Sequence, residues 1–374
     1  MAILPWNSMP HAPASLWDRM ARSCQKTRVS DLNTQPVMRP MCDSRRKATP
    51  AGSFYNPCGH LINHRFKQGV LRMIIDVHAH VLRWPILKKT NTGRPFMTPE
   101  EQIRRMDEKG IDKAVILPLT SAEVNAEHQS MGEVFEITRM YPGRFIPFCD
   151  IEVRRAGWGT TERFRDVLEQ YVAHGAKGVG ELTCRVYWDD PRLWALFAAC
   201  QDMGLTVTFH TSPPEAVTYG VIDELGFPRF EKTLQAFPGL YFFGHSASFW
   251  SEISGDLTAD QKESYSATPI VPGGTLVRLF RAYPNLCGDL SAGSGFNALT
   301  RDPSFTYEFL DEFQDRLMMG LDHTDVELDF QQIEWLKSCR DEKHITAEIC
   351  EKILWRNADR LIGLGLADAM DQGK

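Results

Sequence analysis

Met73-Ile-Ile-Asp-Val-His-Ala-His80 is a short apolar run that closes on two histidines. In a β-strand the side chains at i and i+2 point to the same face, so His78 and His80 project together from the end of such a strand. Two imidazoles aimed at one point suggest a divalent metal site. A bare His-x-His is weak by itself. Its meaning depends on whether other strand ends supply further ligands.

From Met73 onward, β-rich runs alternate with helical patterns. Strands are predicted over 73–78, 113–119, 145–151, 176–182, 206–211, 240–245, 286–291 and 316–322. Helical periodicity is read over 99–109, 123–141, 160–174, 191–203, 229–237, 275–283 and 303–313. Eight strands alternating with helices predict a (β/α)8 TIM barrel, an α/β fold. A doubly wound open sheet competes with it, but no Gly-x-Gly-x-x-Gly follows the first strand.

A barrel carries its active site at the C-terminal ends of its strands. The predicted ends hold His78 and His80 (strand 1), Glu181 (strand 4), His210 (strand 5), His245 (strand 6) and Asp322 (strand 8). Any one of these reads easily as a capping or hydrogen-bonded residue. Six together are better explained by a common centre.

The 374-residue chain is 43% hydrophobic and 24% charged, the composition of a soluble globular protein. No apolar stretch approaches the roughly 18 residues needed to cross a bilayer, and the N-terminus lacks the pattern of a signal peptide. Nine scattered cysteines form no Cys-x-x-Cys pair and no framework spacing, so reduced thiols and a cytoplasmic location are expected. Residues 1–72 carry 11 Lys/Arg and 3 Asp/Glu, a net of +8 that leaves −14 for the remainder of a chain whose total is −6. They show no sustained period and read as a disordered extension, or as a spurious one ahead of a true start at Met73. The acidic remainder, 73–374, forms the barrel domain and argues against a nucleic-acid partner. The expected partner is a small-molecule substrate, with no membrane association and a homo-oligomer as an open alternative.

The segment from residue 73 onward resembles the amidohydrolase superfamily, and within it the amidohydrolase-related family that includes metal-dependent hydrolases and aminocarboxymuconate semialdehyde decarboxylase-like enzymes. The resemblance is carried by Asp76-Val-His78-Ala-His80, Phe209-His210, Gly244-His245-Ser246, Gly320-Leu-Asp322-His323 and the closing Ile353-Leu-Trp-Arg-Asn357-Ala358.

The resemblance implies that His78, His80 and Asp322 hold one metal and that Glu181 bridges to a second held by His210 and His245. Binuclear members often use a carbamylated lysine on strand 4, whereas TatD-type hydrolases place a glutamate there. Glu181 therefore tilts the reading toward a hydrolase of a small amide, lactone or ester. The alternative is a one-metal nonoxidative decarboxylase of an aromatic or unsaturated acid, with ligands His78, His80, His210 and Asp322 and with His245 as general acid/base. Imidazole and carboxylate donors suit Zn²⁺ best, with Mn²⁺ or Fe²⁺ possible, one or two per chain. Such a metal lowers the pKa of bound water from 15.7 to about 7, making hydroxide available at neutral pH. Asp322 is expected to accept the proton of that water and pass it to the leaving group.

Substrate contacts are expected from the loops that follow the strands. Arg83, Trp84 and Arg185 follow metal-type residues, and either arginine could clamp a carboxylate. Trp250 lies in the longest loop, 246–274, which reads as a lid or as a packed insertion. Asp289 and Ser291 share a face at the end of strand 7 and could line the pocket, while His323 is expected to orient Asp322.

Overall fold

The computed structural model describes residues 73–372 except 90, 91, 125, 156 and 158. The expected extension over 1–72 lies outside the described residues. Within them the strands are β1 (Ile75–Ala79), β2 (Lys113–Ile116), β3 (Phe145–Pro147), β4 (Gly178–Leu182), β5 (Thr206–Ser212), β6 (Val221–Ile222), β7 (Phe242–His245), β8 (Leu286–Asp289) and β9 (Leu317–Met318). All are paired in parallel, in the orders β1-β2-β3 and β4-β5-β7-β8-β9. A parallel bridge between Cys149 and Val179 joins the two groups. The last strand meets the first where Val77 N donates to Met319 O (3.1 Å) and Asp322 N to His78 O (2.9 Å). The predicted eight-stranded barrel is thus closed. β6 is an addition, pairing Thr211 with Val221 beside the end of β5.

Helices between the strands follow the apolar periodicity closely. Helix α1 (Pro99–Lys109) begins with a capping box, in which Thr98 Oγ1 accepts from Glu101 N and the Glu101 carboxylate accepts from Thr98 N. It ends at Gly110, whose φ of 71° is the left-handed cap that glycine adopts without penalty. Helix α2 (Met131–Met140) starts eight residues later than its pattern suggested, because Ser130 caps the backbone N–H of Glu133 there.

Two apolar layers hold the barrel. Ile75, Val77, Val115, Leu117, Ile146, Phe148, Phe243, Cys287 and Met318 form an inner cluster, against which Trp355 and Ala358 pack. Outside, Trp188, Phe197, Phe209, Phe230, Phe242 and Phe249 interlock between strands and helices, the Trp188 and Phe230 rings 4.4 Å apart. Burying each such side chain contributes roughly 1.5–3 kcal/mol.

Strand alternation is broken at two places. Ile75 and Val77 lie in the inner cluster but Ala79 in the outer one, and the β1–β2 register shifts between Asp76 and Ala79. Val179 and Leu182 are both in the outer cluster, with a register shift between them. These irregularities aim His78, His80 and Glu181 into the barrel mouth.

Candidate metal centre

All six residues expected at the strand ends converge. His78 and His80 are buried, and their Nε2 atoms stand 3.1 Å apart. Glu181 Oε2 lies 3.5 Å from His78 Nε2 and 3.3 Å from His80 Nε2, while its Oε1 lies 3.0 Å from His210 Nδ1. Asp322 Oδ1 is 3.8 Å from His78 Nε2 and 3.5 Å from His80 Nε2, and its Oδ2 is 3.6 Å from His245 Nε2. Three sets bring ligand atoms within 4.8 Å of one another: His78, His80 and Glu181; His78, His245 and Asp322; Glu181, His210 and His245.

The backbone around the centre is shaped for it. Asp322 sits at φ 52°, in the left-handed region that aspartate tolerates better than most residues. Gly320 leaves room beside it: a Cβ there would fall 2.7 Å from Asp289 Oδ1 and 3.2 Å from His78 Cβ. Asp76 Oδ1 accepts from His78 N (3.0 Å) and Leu321 N (2.9 Å), tying the first strand to the last.

The donors fit a divalent cation. His80 Nδ1 faces the carbonyl of Leu117 at 2.9 Å, which can only accept, so Nδ1 carries the proton and Nε2 a lone pair. His78 Nδ1 lies 2.6 Å from the buried Asp289 Oδ2 and donates to it. Its Nε2 then also turns a lone pair inward. Two lone pairs at 3.1 Å need a proton or a metal between them. The buried Asp322 Oδ1 has no hydrogen-bond partner, as an oxygen reserved for a cation would. Histidine ligands held by a carboxylate or carbonyl on the far nitrogen are the usual support for a metal.

Electrostatics agree with that reading. Burial alone would strip the proton from His78, but Asp322, Asp289 and Glu181 outweigh it and hold the imidazole well above its ordinary value. Burial would raise Glu181, yet the positive charge of His78, ahead of the close approach of the His210, His78 and His80 imidazoles, holds it well below the carboxylate range. Burial and then the charge of His78 push His245 down to about 4. Glu181, Asp289 and Asp322 gather negative charge around these imidazoles, which favours a cation.

Comparison with known proteins now decides the family. The family model described as amidohydrolase matches residues 75–364. The chain belongs to the amidohydrolase family. An uncharacterised TIM-barrel protein from Bordetella bronchiseptica is similar to this amidohydrolase at 20% identity and a TM-score of 0.51, covering 78% of this chain and 98% of its own. A solved amidohydrolase II structure is similar at 16% identity and a TM-score of 0.50, covering 78% and 99%. These likenesses establish the barrel fold. No curated protein matches the chain.

Several residues expected to meet substrate have other partners in this amidohydrolase. Arg83 is turned to α2, its backbone N–H donating to Glu133 and its guanidinium to Glu136, and it lies over the exposed Trp84 ring at 4.7 Å. Trp250 is buried and donates from Nε1 to Asp289 O at 2.9 Å. Ser291 Oγ bonds His245 Nδ1 at 2.8 Å, so it orients a histidine. Arg185 spends its guanidinium on Ser212 Oγ, Thr218 O and Pro214 O. His323 accepts from Phe330 N and stacks on the Phe330 ring, and so is anchored away from the expected bond to Asp322.

Segment 246–274 is anchored through its first part, where Ala247–Ser251 is helical and residues 248–254 are buried, while 255–269 is exposed or half-buried apart from Lys262. The buried Lys262 donates to Glu252 Oε1 (2.8 Å) and Glu224 O (2.7 Å) and lies over the Phe227 ring. Sequence reasoning did not assign Asp289 its role as the partner of His78. Its signal was parity with Ser291 at a strand end, which shows a facing direction but no partner.

Proposed function

We propose that the enzyme is a metal-dependent hydrolase of a small amide, lactone or ester, with two divalent ions per chain, most readily Zn²⁺. The observation that carries this reading is the central position of Glu181, whose two oxygens face the β1 histidines on one side and His210 on the other. One carboxylate between two imidazole sets is suited to bridging two ions.

His78, His80 and Asp322 would hold one ion, and His210 and His245 the other. When bound, divalent ions acidify water and polarise an acyl oxygen. Asp289 and the Leu117 carbonyl fix the tautomers of His78 and His80, and the Ser291 hydroxyl orients the His245 ring through Nδ1. Asp322, on the more open side of the centre with 17% of its side chain exposed, accepts the proton as water adds to the acyl carbon. It returns that proton to the leaving nitrogen or oxygen as the bond breaks.

We place the enzyme in a reducing compartment such as the cytoplasm, a reading supported by the six free, buried cysteines among the described residues. Among those residues no helix is long and apolar enough to cross a membrane.

Metal analysis of protein purified without chelator tests the proposal, together with a panel of amides, lactones and esters run beside carboxylic acids assayed for CO2. Two equivalents of metal and hydrolysis support it. One equivalent with CO2 release selects a decarboxylase instead, and no metal in native or supplemented protein removes both.

A further inference from the structure

The centre described above is built from imidazole lone pairs and carboxylates, which accept and do not donate to a substrate oxygen. A donor stands beside it. Tyr219, on the loop between β5 and β6, lays its ring against His210 with centroids 4.4 Å apart. Its hydroxyl lies in the field of the Glu181 and Asp322 carboxylates, and it has no hydrogen-bond partner among the described residues. A phenol is protonated at neutral pH.

The loop that carries Tyr219 is held at three levels. Its ends pair as Thr211 with Val221 and Ser212 with Ile222. Gly220, at φ 119°, donates from its backbone N–H to Thr183 O (2.8 Å), and a Cβ on it would stand 3.0 Å from His210 Cδ2. Arg185 crosses the loop, donating to Ser212 Oγ at 2.9 Å, Thr218 O at 2.8 Å and Pro214 O at 3.1 Å. Tyr219 is thus bracketed, with Thr218 held by the Arg185 guanidinium on one side and Gly220 held by Thr183 on the other. The phenol is therefore preorganised before any ligand arrives.

We propose that the Tyr219 hydroxyl hydrogen-bonds an oxygen of the substrate's acyl or carboxyl group at the metal centre, and that Arg185 is its positioning residue. This rests on the metal-centre reading above. The ligand chemistry is common to both reactions considered there: hydrolysis of an amide, ester or lactone leaves a carboxylate, and a decarboxylase begins from one.

The test uses the full-length protein loaded with Co²⁺, with benzoate as the carboxylate probe and the visible cobalt spectrum as the readout. In the wild type, benzoate perturbs the spectrum saturably. Tyr219→Phe keeps the ring on His210 and removes only the hydroxyl, so cobalt content and Tm stay at wild-type values while benzoate binds about tenfold more weakly or worse. Arg185→Lys also weakens benzoate at unchanged cobalt content, because the loop loses its brace. Unchanged benzoate affinity in Tyr219→Phe overturns the proposal, as does a loss of cobalt in that variant, which would make the hydroxyl structural. A wild-type protein that takes up no cobalt defeats the metal-centre reading itself. One that binds cobalt but ignores benzoate defeats this proposal alone.

Discussion

His78 and Asp289, 211 residues apart in the chain, meet through a 2.6 Å contact between Nδ1 and Oδ2 with both side chains fully buried. That contact determines which nitrogen of His78 is free. With the carboxylate on Nδ1, the Nε2 lone pair faces His80, Glu181 and Asp322.

Asp289→Asn tests this dependence. An amide offers an N–H where the carboxylate had only acceptors, and His78 loses the partner that fixes its tautomer. Metal affinity should fall about 10–100-fold, measured by competition with a chromophoric chelator, while the fold persists. Unchanged affinity would mean that His78 does not need Asp289 to bind a metal.

Asp322→Asn removes the proposed proton acceptor while keeping a similar shape. Turnover of whichever substrate the panel yields should drop about 10²–10⁴-fold, with Tm little changed. Retained activity would refute the role assigned to this carboxylate.

Asp150 gives the fold a pH dependence. It is 6% exposed, and burial pushes its carboxyl up to about 7 despite hydrogen bonds from Thr120 and Ile151 N. The folded state therefore binds the proton more tightly than the unfolded chain does. The stabilisation is complete below about pH 4 and is lost as pH rises to about 7, with an upper bound of ~4 kcal/mol. Asp150→Asn should flatten that slope, and urea midpoints at pH 5 and pH 8 measure it. Parallel midpoints in variant and wild type would sink the assignment.

Lys262 and Glu252 form an ion pair in which both residues are no more than 2% exposed. Lys262→Ala leaves Glu252 charged, buried and without its cation, which should cost about 3–5 kcal/mol and lower Tm. The double variant Lys262→Met with Glu252→Gln should cost less, because no charge is stranded. Equal losses in the two would show that the pair is not what anchors loop 246–274.

The alternation of apolar strands with amphipathic helices follows from local periodicity, and so the barrel was legible from residue 73 onward. So were the ligand candidates, because a strand end can be located by its own hydrophobic run and His78, His80, Glu181, His210, His245 and Asp322 each stand at one. Partners were less legible. Arg83, Arg185 and Ser291 lie near metal-type residues in sequence, yet Arg83 turns to Glu136, Arg185 to the backbone of a neighbouring loop and Ser291 to His245.

Two matters depended on the closed barrel. Regular alternation would give His78 the outward face of Ile74, and Glu181 the outward face of Val179. The register shifts in β1 and β4 turn both inward. Such shifts arise from how a strand fits its neighbours around the ring, which no window of the chain contains. In the same way, closure brings Asp289 to His78, and long-range packing holds Tyr219 against His210. Local sequence specified which chemical groups reach the mouth of the barrel. Packing between distant segments selected the atoms they turn toward one another.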